Sequence, residues 1–436
     1  MEDKILTANG IEIFSYPNRH THSFCLSLYI RAGALYESDE ENGITHFLEH
    51  ILFRNINHRM DGQLYRRLDQ LGLFFNGATY KEFIQLYIIG APRHFAEAAD
   101  ILLKAFEPLT LPADQIRTEQ QRVKAEIREA GDFKTLDYFA GTLCWKDTSL
   151  RNTILGTKGN VSTFSRRKLA AYHSQAFRPE NLFFYVTGCV SEADLSGLAE
   201  QVSRLGPLSK GVRRDNRAPV PEGFGVRDLL IGVKNSPYTM VQFSYDLTTE
   251  KYSGAELALL YDVLFSGENS LMHQELSEKR GMIYSYASTL EKYNNIGRIY
   301  FAYEVAARDL YPSIEVVRDG LTRLELDMAD RLSLVLPEYT DNAYMIYDDN
   351  EGFNWQRAYE GHIMNGRERS IEESRNAYLA VTPGRLSQIA AEIFTADNLV
   401  LSLKGNQKKI DPNRIRRIFG KEPQGGKGNL GGAYEL

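Results

Sequence analysis

Apolar and polar residues alternate over Ile11–Tyr16 and again over Ser23–Arg31, and both stretches are rich in β-branched and aromatic side chains. A period of two predicts half-buried strands there. Phe83–Ile89 (FIQLYII) and Asn181–Gly188 (NLFFYVTG) also read as strands. Between them the apolar spacing lengthens to that of helices, over Gly43–Arg54, Gly62–Leu71, His94–Phe106, a long charged stretch Ala113–Ala130, Lys168–Ala176 and Glu192–Leu205. The two kinds of element do not follow strict β-α-β order. The expected class is therefore α+β, with helices packed on mainly antiparallel sheets.

A polar run rich in Gly, Pro and Arg, Gly206–Gly225, interrupts this pattern and predicts the main boundary. The second half of the chain resembles a degenerate copy of the first. LYRRLDQLGLFFN (Leu64–Asn76) lines up with LMHQELSEKRGMIYSY (Leu271–Tyr286), each with helical leucines, then Gly72 or Gly281, then an aromatic strand. ITHFLEHILF (Ile44–Phe53) lines up with ELALLYDVLF (Glu256–Phe265) at a similar offset of about 210 residues. The expected organisation is one α+β half over 1–215, a second over 216–420, and a Gly-rich mobile tail over 421–436. Only the first copy carries histidines in the aligned helix.

Composition narrows the class of partner. The 436 residues hold 51 Lys plus Arg against 57 Asp plus Glu, a net charge of −6, with 43% hydrophobic and 25% charged residues. These are ordinary globular values. The acidic balance argues against nucleic acid as a partner. No apolar run approaches a membrane span, and MEDKILTANGIEIF lacks the apolar core of a secretory signal. Cys25, Cys144 and Cys189 are odd in number and far apart, which predicts reduced thiols and a cytoplasmic location.

The segment with the most chemical content is His46-Phe47-Leu48-Glu49-His50. On a helix, residues four apart share a face, so His46 and His50 can converge on one zinc ion. Glu49 lies beside them, where a carboxylate can take a proton from an attacking water. A catalytic zinc held by two histidines normally takes a third protein ligand. The charged helix offers Glu119, Glu126 and Glu129. Glu119 and Glu126 are seven apart and face the same way, so one can ligate while the other supports it.

This string is similar to the H-x-x-E-H signature of the pitrilysin-type (inverzincin) zinc metallopeptidases, the family of insulin-degrading enzyme and the mitochondrial processing peptidases. The family pattern continues with E-x-x-x-V-x-x-E, its last Glu about 76 residues after the second His. Here Glu119-Gln-Gln-Arg-Val123-Lys-Ala-Glu126 matches it. The resemblance implies one Zn2+ per chain held by His46, His50 and Glu126, with Glu49 as the base and Glu119 in support. Asn76-Gly77-Ala78-Thr79 falls where the family has an N-A-x-T strand that pairs with the substrate backbone, Gly77 replacing the alanine. It also implies that two chains of this size pair around a closed chamber in which peptides are cut.

One departure stands out. The family's second half carries an Arg and a Tyr seven apart that approach the peptide carbonyl. Tyr284 stands at the tyrosine position, but Ser277 stands at the arginine position, and Arg280 lies one turn on. The resemblance therefore implies a catalytic subunit in a homodimer, or in a heterodimer whose metal-free partner supplies the missing arginine. Two other readings share the residues: a dedicated leader or precursor-peptide maturation protease, and a non-catalytic structural subunit of a peptidase-like complex.

Overall fold

In a computed structural model the alternating segments form two six-stranded sheets. The structure describes residues 2–131, 135–146, 148–206, 208–220, 229–232, 236–324, 327–364, 370–420 and 433–435. The first sheet contains β1 (Asp3–Leu6), β2 (Glu12–Pro17), β3 (Phe24–Ile30), β4 (Phe74–Thr79), β5 (Ile84–Gly90) and β6 (Leu182–Gly188) in the order β1-β2-β6-β3-β5-β4. The second contains β7 (Leu229–Gly232), β8 (Tyr238–Leu247), β9 (Tyr286–Lys292), β10 (Gly297–Ala306), β11 (Leu399–Gly405) and β12 (Ala433–Glu435) in the order β12-β7-β11-β8-β10-β9.

The repeat seen in sequence is a repeat of topology. In the first sheet β2 and β6 run parallel while the β6-β3, β3-β5 and β5-β4 pairs are antiparallel. In the second, β7 and β11 run parallel while β11-β8, β8-β10 and β10-β9 are antiparallel. The expected α+β class, two similar halves each built on a mainly antiparallel sheet, is the class observed. Strand β6 is buried along its whole length, which is why it reads as a near-continuous apolar run; β3, whose alternation predicts a half-buried strand, is also buried throughout, because its polar Ser27 is enclosed as well.

Four helices of the first half of the sequence bear on the candidate site and on the division of the chain: α1 (Ile44–Arg59), α2 (Leu64–Leu71), α3 (Ala113–Ala130) and α4 (Leu136–Trp145). In the second half α5 (Gly254–Phe265) corresponds to α1. The counterpart of α2 is a π-helical turn, His273–Glu278. Gly72 and Gly281 come after the two elements with φ of 60° and 59°, left-handed values that glycine reaches without a Cβ clash.

Contacts group the chain into two units that are not contiguous in sequence. Unit 1 comprises Met1–Gly131, Asn152–Asn216 and Tyr344–Ser370, and unit 2 comprises Asp132–Arg151, Arg217–Ala343 and Ile371–Leu436. Helix α4, from the first half of the sequence, thus belongs to unit 2, and α6 (Asn350–Arg357), from the second half, belongs to unit 1. The change at Asn216 falls inside the polar connector. Asn354 shows what holds α6: its Nδ2 donates to the carbonyls of Cys25 (3.2 Å) and Tyr185 (2.9 Å), and its Oδ1 accepts from the Tyr29 hydroxyl at 2.9 Å. Residues 421–432 of the Gly-rich tail lie outside the described residues, whereas Ala433–Glu435 pair in parallel with Leu230–Gly232. No helix among the described residues is long and apolar enough to cross a membrane.

Candidate metal centre

The histidine helix is held at its start by a buried acid. Gly43, at φ 94°, immediately precedes α1 as its N-cap, and a Cβ there would stand 2.7 Å from Gly156 Cα. Glu37, 4% exposed, accepts from Gly43 N (2.8 Å) and Asn42 Nδ2 (3.1 Å) on one oxygen and from Thr45 N (2.9 Å) on the other. A carboxylate suits the positive end of the helix and answers its free N–H groups. Burial pushes the Glu37 carboxyl up, against the pull of those donors. Ile44, Phe47, Leu48, Ile51, Leu52 and Ile56 bury the apolar stripe of α1, which sets where the polar side chains emerge.

Four residues apart on that helix, His46 and His50 bring their Nε2 atoms to 3.3 Å. Glu126, on α3, turns Oε1 toward His46 Nε2 and Oε2 toward His50 Nε2, each at 3.5 Å. The ligand-capable atoms of the three residues all lie within 4.8 Å of one another. Val123 and Ile127 bury α3 on either side of Glu126, whose own side chain stays 42% exposed. The same buried stripe, Ile116, Glu119, Val123 and Ile127, contains one acid. Glu119 is 1% exposed, with Oε1 2.8 Å from His50 Nδ1 and Oε2 accepting from Arg54 Nε at 2.6 Å. A proton on His50 Nδ1 satisfies that carboxylate and leaves the Nε2 lone pair facing Glu126. Glu129, the other glutamate of the helix, is exposed and outside the cluster.

The charges are strongly coupled. Burial works to raise the Glu119 carboxyl, but the His50 hydrogen bond and the Arg54 and Arg122 cations hold it below the usual range. Its contact with His46 likewise holds Glu126 low. Burial works to lower His50, yet the Glu119 hydrogen bond and the Glu49, Glu119 and Glu126 charges raise it overall. Burial pushes Glu49 up, opposed by the two imidazoles. His46 Nδ1 is buried without a hydrogen-bond partner.

Strand β4 runs alongside. It pairs only with β5 among the described residues, so its other edge carries unpaired main-chain groups. Asn76 Nδ2 donates to the Tyr87 hydroxyl at 3.3 Å, and its Oδ1 accepts from Gly77 N at 2.9 Å. A Cβ at Gly77 would meet Phe53 Cε2 at 2.8 Å and Glu49 Oε1 at 3.1 Å. Ala78 is half-buried two residues beyond Asn76.

The remaining candidates belong to unit 2. Tyr284 is 99% exposed. Ser277 lies in the π-helical turn, and Arg280 is drawn back onto Glu275, donating to its carbonyl at 2.9 Å and its carboxylate at 2.5 Å. Sequence reading overlooked Glu37 and Arg54. Glu37 caps α1 from seven residues upstream, outside the local capping pattern, and Arg54 gave no signal beyond its place one turn after His50.

Known proteins resemble this chain in sequence and in fold. Residues 13–158 match the insulinase (peptidase family M16) domain, and residues 163–330 match the peptidase M16 inactive domain. Among curated relatives, the Bacillus subtilis zinc protease YmxG is 24% identical over 407 residues, covering 89% of this chain and 95% of its own length. The human mitochondrial-processing peptidase subunit beta is 28% identical over 178 residues, 40% of this chain and 36% of its own. A Helicobacter pylori protease superposes with a TM-score of 0.82 at 16% identity, covering 93% of this chain and 99% of that one. The first half of the periplasmic protease PqqL from Escherichia coli gives 0.75 at 16% identity, covering 96% of each chain. With the two M16 domains matched one after the other over residues 13–158 and 163–330, the chain belongs to peptidase family M16, the pitrilysin type.

Proposed function

We propose that the chain is a zinc-dependent endopeptidase, with one Zn2+ held by His46, His50 and Glu126 and Glu49 as general base. The observation that carries this reading is the approach of two imidazole Nε2 atoms and one carboxylate to a common point. Tetrahedral zinc with bonds of about 2.0–2.2 Å needs ligand atoms about 3.3–3.5 Å apart. The separations here are 3.3 Å and 3.5 Å. Zinc names among the relatives support the choice of metal. Such an ion supplies positive charge that acidifies water and polarises a carbonyl.

The chain's own residues do the rest. Glu49, pushed up by burial, takes a proton from the attacking water and hands it to the leaving amine. Glu119 orients His50 and keeps its Nε2 deprotonated. The substrate lies as an added strand on the free edge of β4 at Asn76, Gly77 and Ala78. Tyr284 donates to the carbonyl oxygen as negative charge develops there.

Ser277 leaves that oxygen without the family's cation, and Arg280 is already paired with Glu275. We therefore read the chain as the catalytic member of a pair, either with itself or with a related metal-free subunit that supplies an arginine, around a chamber that admits peptides. The same gap favours a second reading, a protease dedicated to one leader or precursor peptide. Cysteines held as thiols fit a cytoplasmic location.

Glu49→Gln tests the central claim. The variant should retain one zinc per chain and lose turnover by about 10²–10⁴-fold. Full activity in that variant removes the base, and wild-type protein that binds no zinc sends the chain to the third reading, a structural subunit. Equal activity with and without a related second chain removes the heterodimer.

A further inference from the structure

A second polar cavity in unit 1 shares no residue with the metal centre. It measures about 350 Å3, and its lining includes Phe14, Arg31, Leu182, Phe183, Arg213 and His362 together with Lys4, Glu12 and Glu180. Arg31 stands just past the last residue of β3 and is 3% exposed. Its backbone is fixed on both sides: its N–H donates to the Asn181 carbonyl at 2.9 Å, and its carbonyl accepts from Arg214 Nη1 at 3.0 Å. Its Nη2 donates to the carbonyl of His362, and Arg213 Nη2 donates to the same oxygen at 3.2 Å. Two guanidinium groups thus share one neutral acceptor.

Neither makes an ion pair among the described residues, although the Asp215 and Glu12 charges act on Arg31 from farther off. Among the described residues no carboxylate stands within ion-pair distance of Arg31 or Arg213. The acids of the cavity are engaged elsewhere, Glu12 with Lys4 at 2.5 Å and Glu180 with the Gly211 N–H at 3.1 Å. The shared carbonyl is itself rigid, because the His362 ring stacks on Phe14 at 3.7 Å and its Nε2 lies 2.7 Å from Glu2 Oε1. Burial and the like charge of Arg213 push Arg31 down to about 10, against the opposing pull of Tyr36, Asp215 and Glu12. A buried cation whose nearest acids stand beyond ion-pair distance is costly unless something anionic completes it. Part of the lining is apolar, with the Arg31 guanidinium 5.8 Å from the Phe183 ring centroid. A compact apolar wall facing a few converging charged groups is the usual plan of a small-molecule site.

We propose that this cavity binds a small organic oxyanion, a phosphate or carboxylate on a compact apolar body, with Arg31 and Arg213 gripping the anion and Phe14, Leu182 and Phe183 holding the body. The planar fork of guanidinium donors matches either oxyanion.

Calorimetric titration of the zinc-loaded full chain with phenyl phosphate and, separately, with benzoate tests it. At least one probe should bind at one site per chain. Arg213→Ala, a change at an exposed side chain, should weaken binding about tenfold or more, the effect of losing a charge-assisted contact. Arg31→Met, which keeps the length of the side chain, should abolish it. The stronger probe identifies the anion as phosphate or carboxylate. No binding of either probe by the wild type, or binding that Arg213→Ala leaves undiminished, overturns the proposal. That second result would mean the anion sits elsewhere, the metal included. If Arg31→Met does not fold, Arg213→Ala alone decides.

Discussion

Replacing Glu119 with glutamine removes one charge and almost no volume, at the most deeply buried acid of the metal centre. In the wild type its two oxygens answer two donors, His50 Nδ1 at 2.8 Å and Arg54 Nε at 2.6 Å. A glutamine has one acceptor oxygen and one amide nitrogen, so one donor must face another donor or turn away. If His50 loses, its imidazole is free to carry its proton on Nε2, the atom that faces Glu126. Losing such an orienting carboxylate costs about 10–100-fold in metal affinity, equivalent to about 1.4–2.7 kcal/mol. Zinc competition against a chromophoric chelator measures this directly, and Arg54→Ala separates the effect of the second donor. The expected order of affinity is wild type, then Glu119→Gln, then His50→Ala. A glutamine variant that binds zinc as tightly as the wild type would show that Glu119 is a packing residue and that its contact with His50 carries no energy.

Two further substitutions probe other levels of the structure. Gly77→Ala inserts a methyl against Phe53 and Glu49; displacing Glu49 should cost turnover up to about 10²-fold, with zinc content unchanged, and an unaltered rate would mean that Phe53 yields alone. Arg298→Ala in unit 2 removes a 4%-exposed cation that bonds Asp137 at 3.0 Å and Glu291 at 2.8 Å. Breaking a buried pair from one side costs about 3–5 kcal/mol. Each unit holds one of the two tryptophans, Trp355 in unit 1 and Trp145 in unit 2. Urea unfolding followed by Trp145 fluorescence in a Trp355→Phe background should therefore show the loss, and an unchanged midpoint would refute it.

The parts of this structure that were legible in sequence are those governed by a local period. Spacing of four placed His46 and His50 on one face, and spacing of seven put Glu119 and Glu126 on one side of α3. Spacing could not choose between those acids. That distinction is one of depth, 1% against 42% side-chain exposure, and it depends on how α3 meets α1. The repeat was visible because Gly72 and Gly281 each need a left-handed backbone after a helical turn. The exchange of α4 and α6 between units left no periodic trace, since an amphipathic helix looks alike whichever sheet it covers. The cavity around Arg31 was equally hidden. An arginine ending an apolar strand reads as a solvated terminus, and only the fold brings Arg213 and His362 to it.

The exchange of segments sets the order in which the molecule can be completed. A ribosome delivers every strand of the first sheet by Gly188, yet Asn354, which fastens the far side of that sheet, emerges 169 residues after its partner Tyr185. Until then Phe14, Tyr29, Phe83, Phe183 and Tyr185 lack the Ala358 and Ile363 side chains that close their cluster. A translation stop or a proteolytic nick between 217 and 343 would separate unit 1 from its own last piece and leave an aromatic face open to aggregation. Neither half of this gene product should be expected to fold cleanly when expressed without the other.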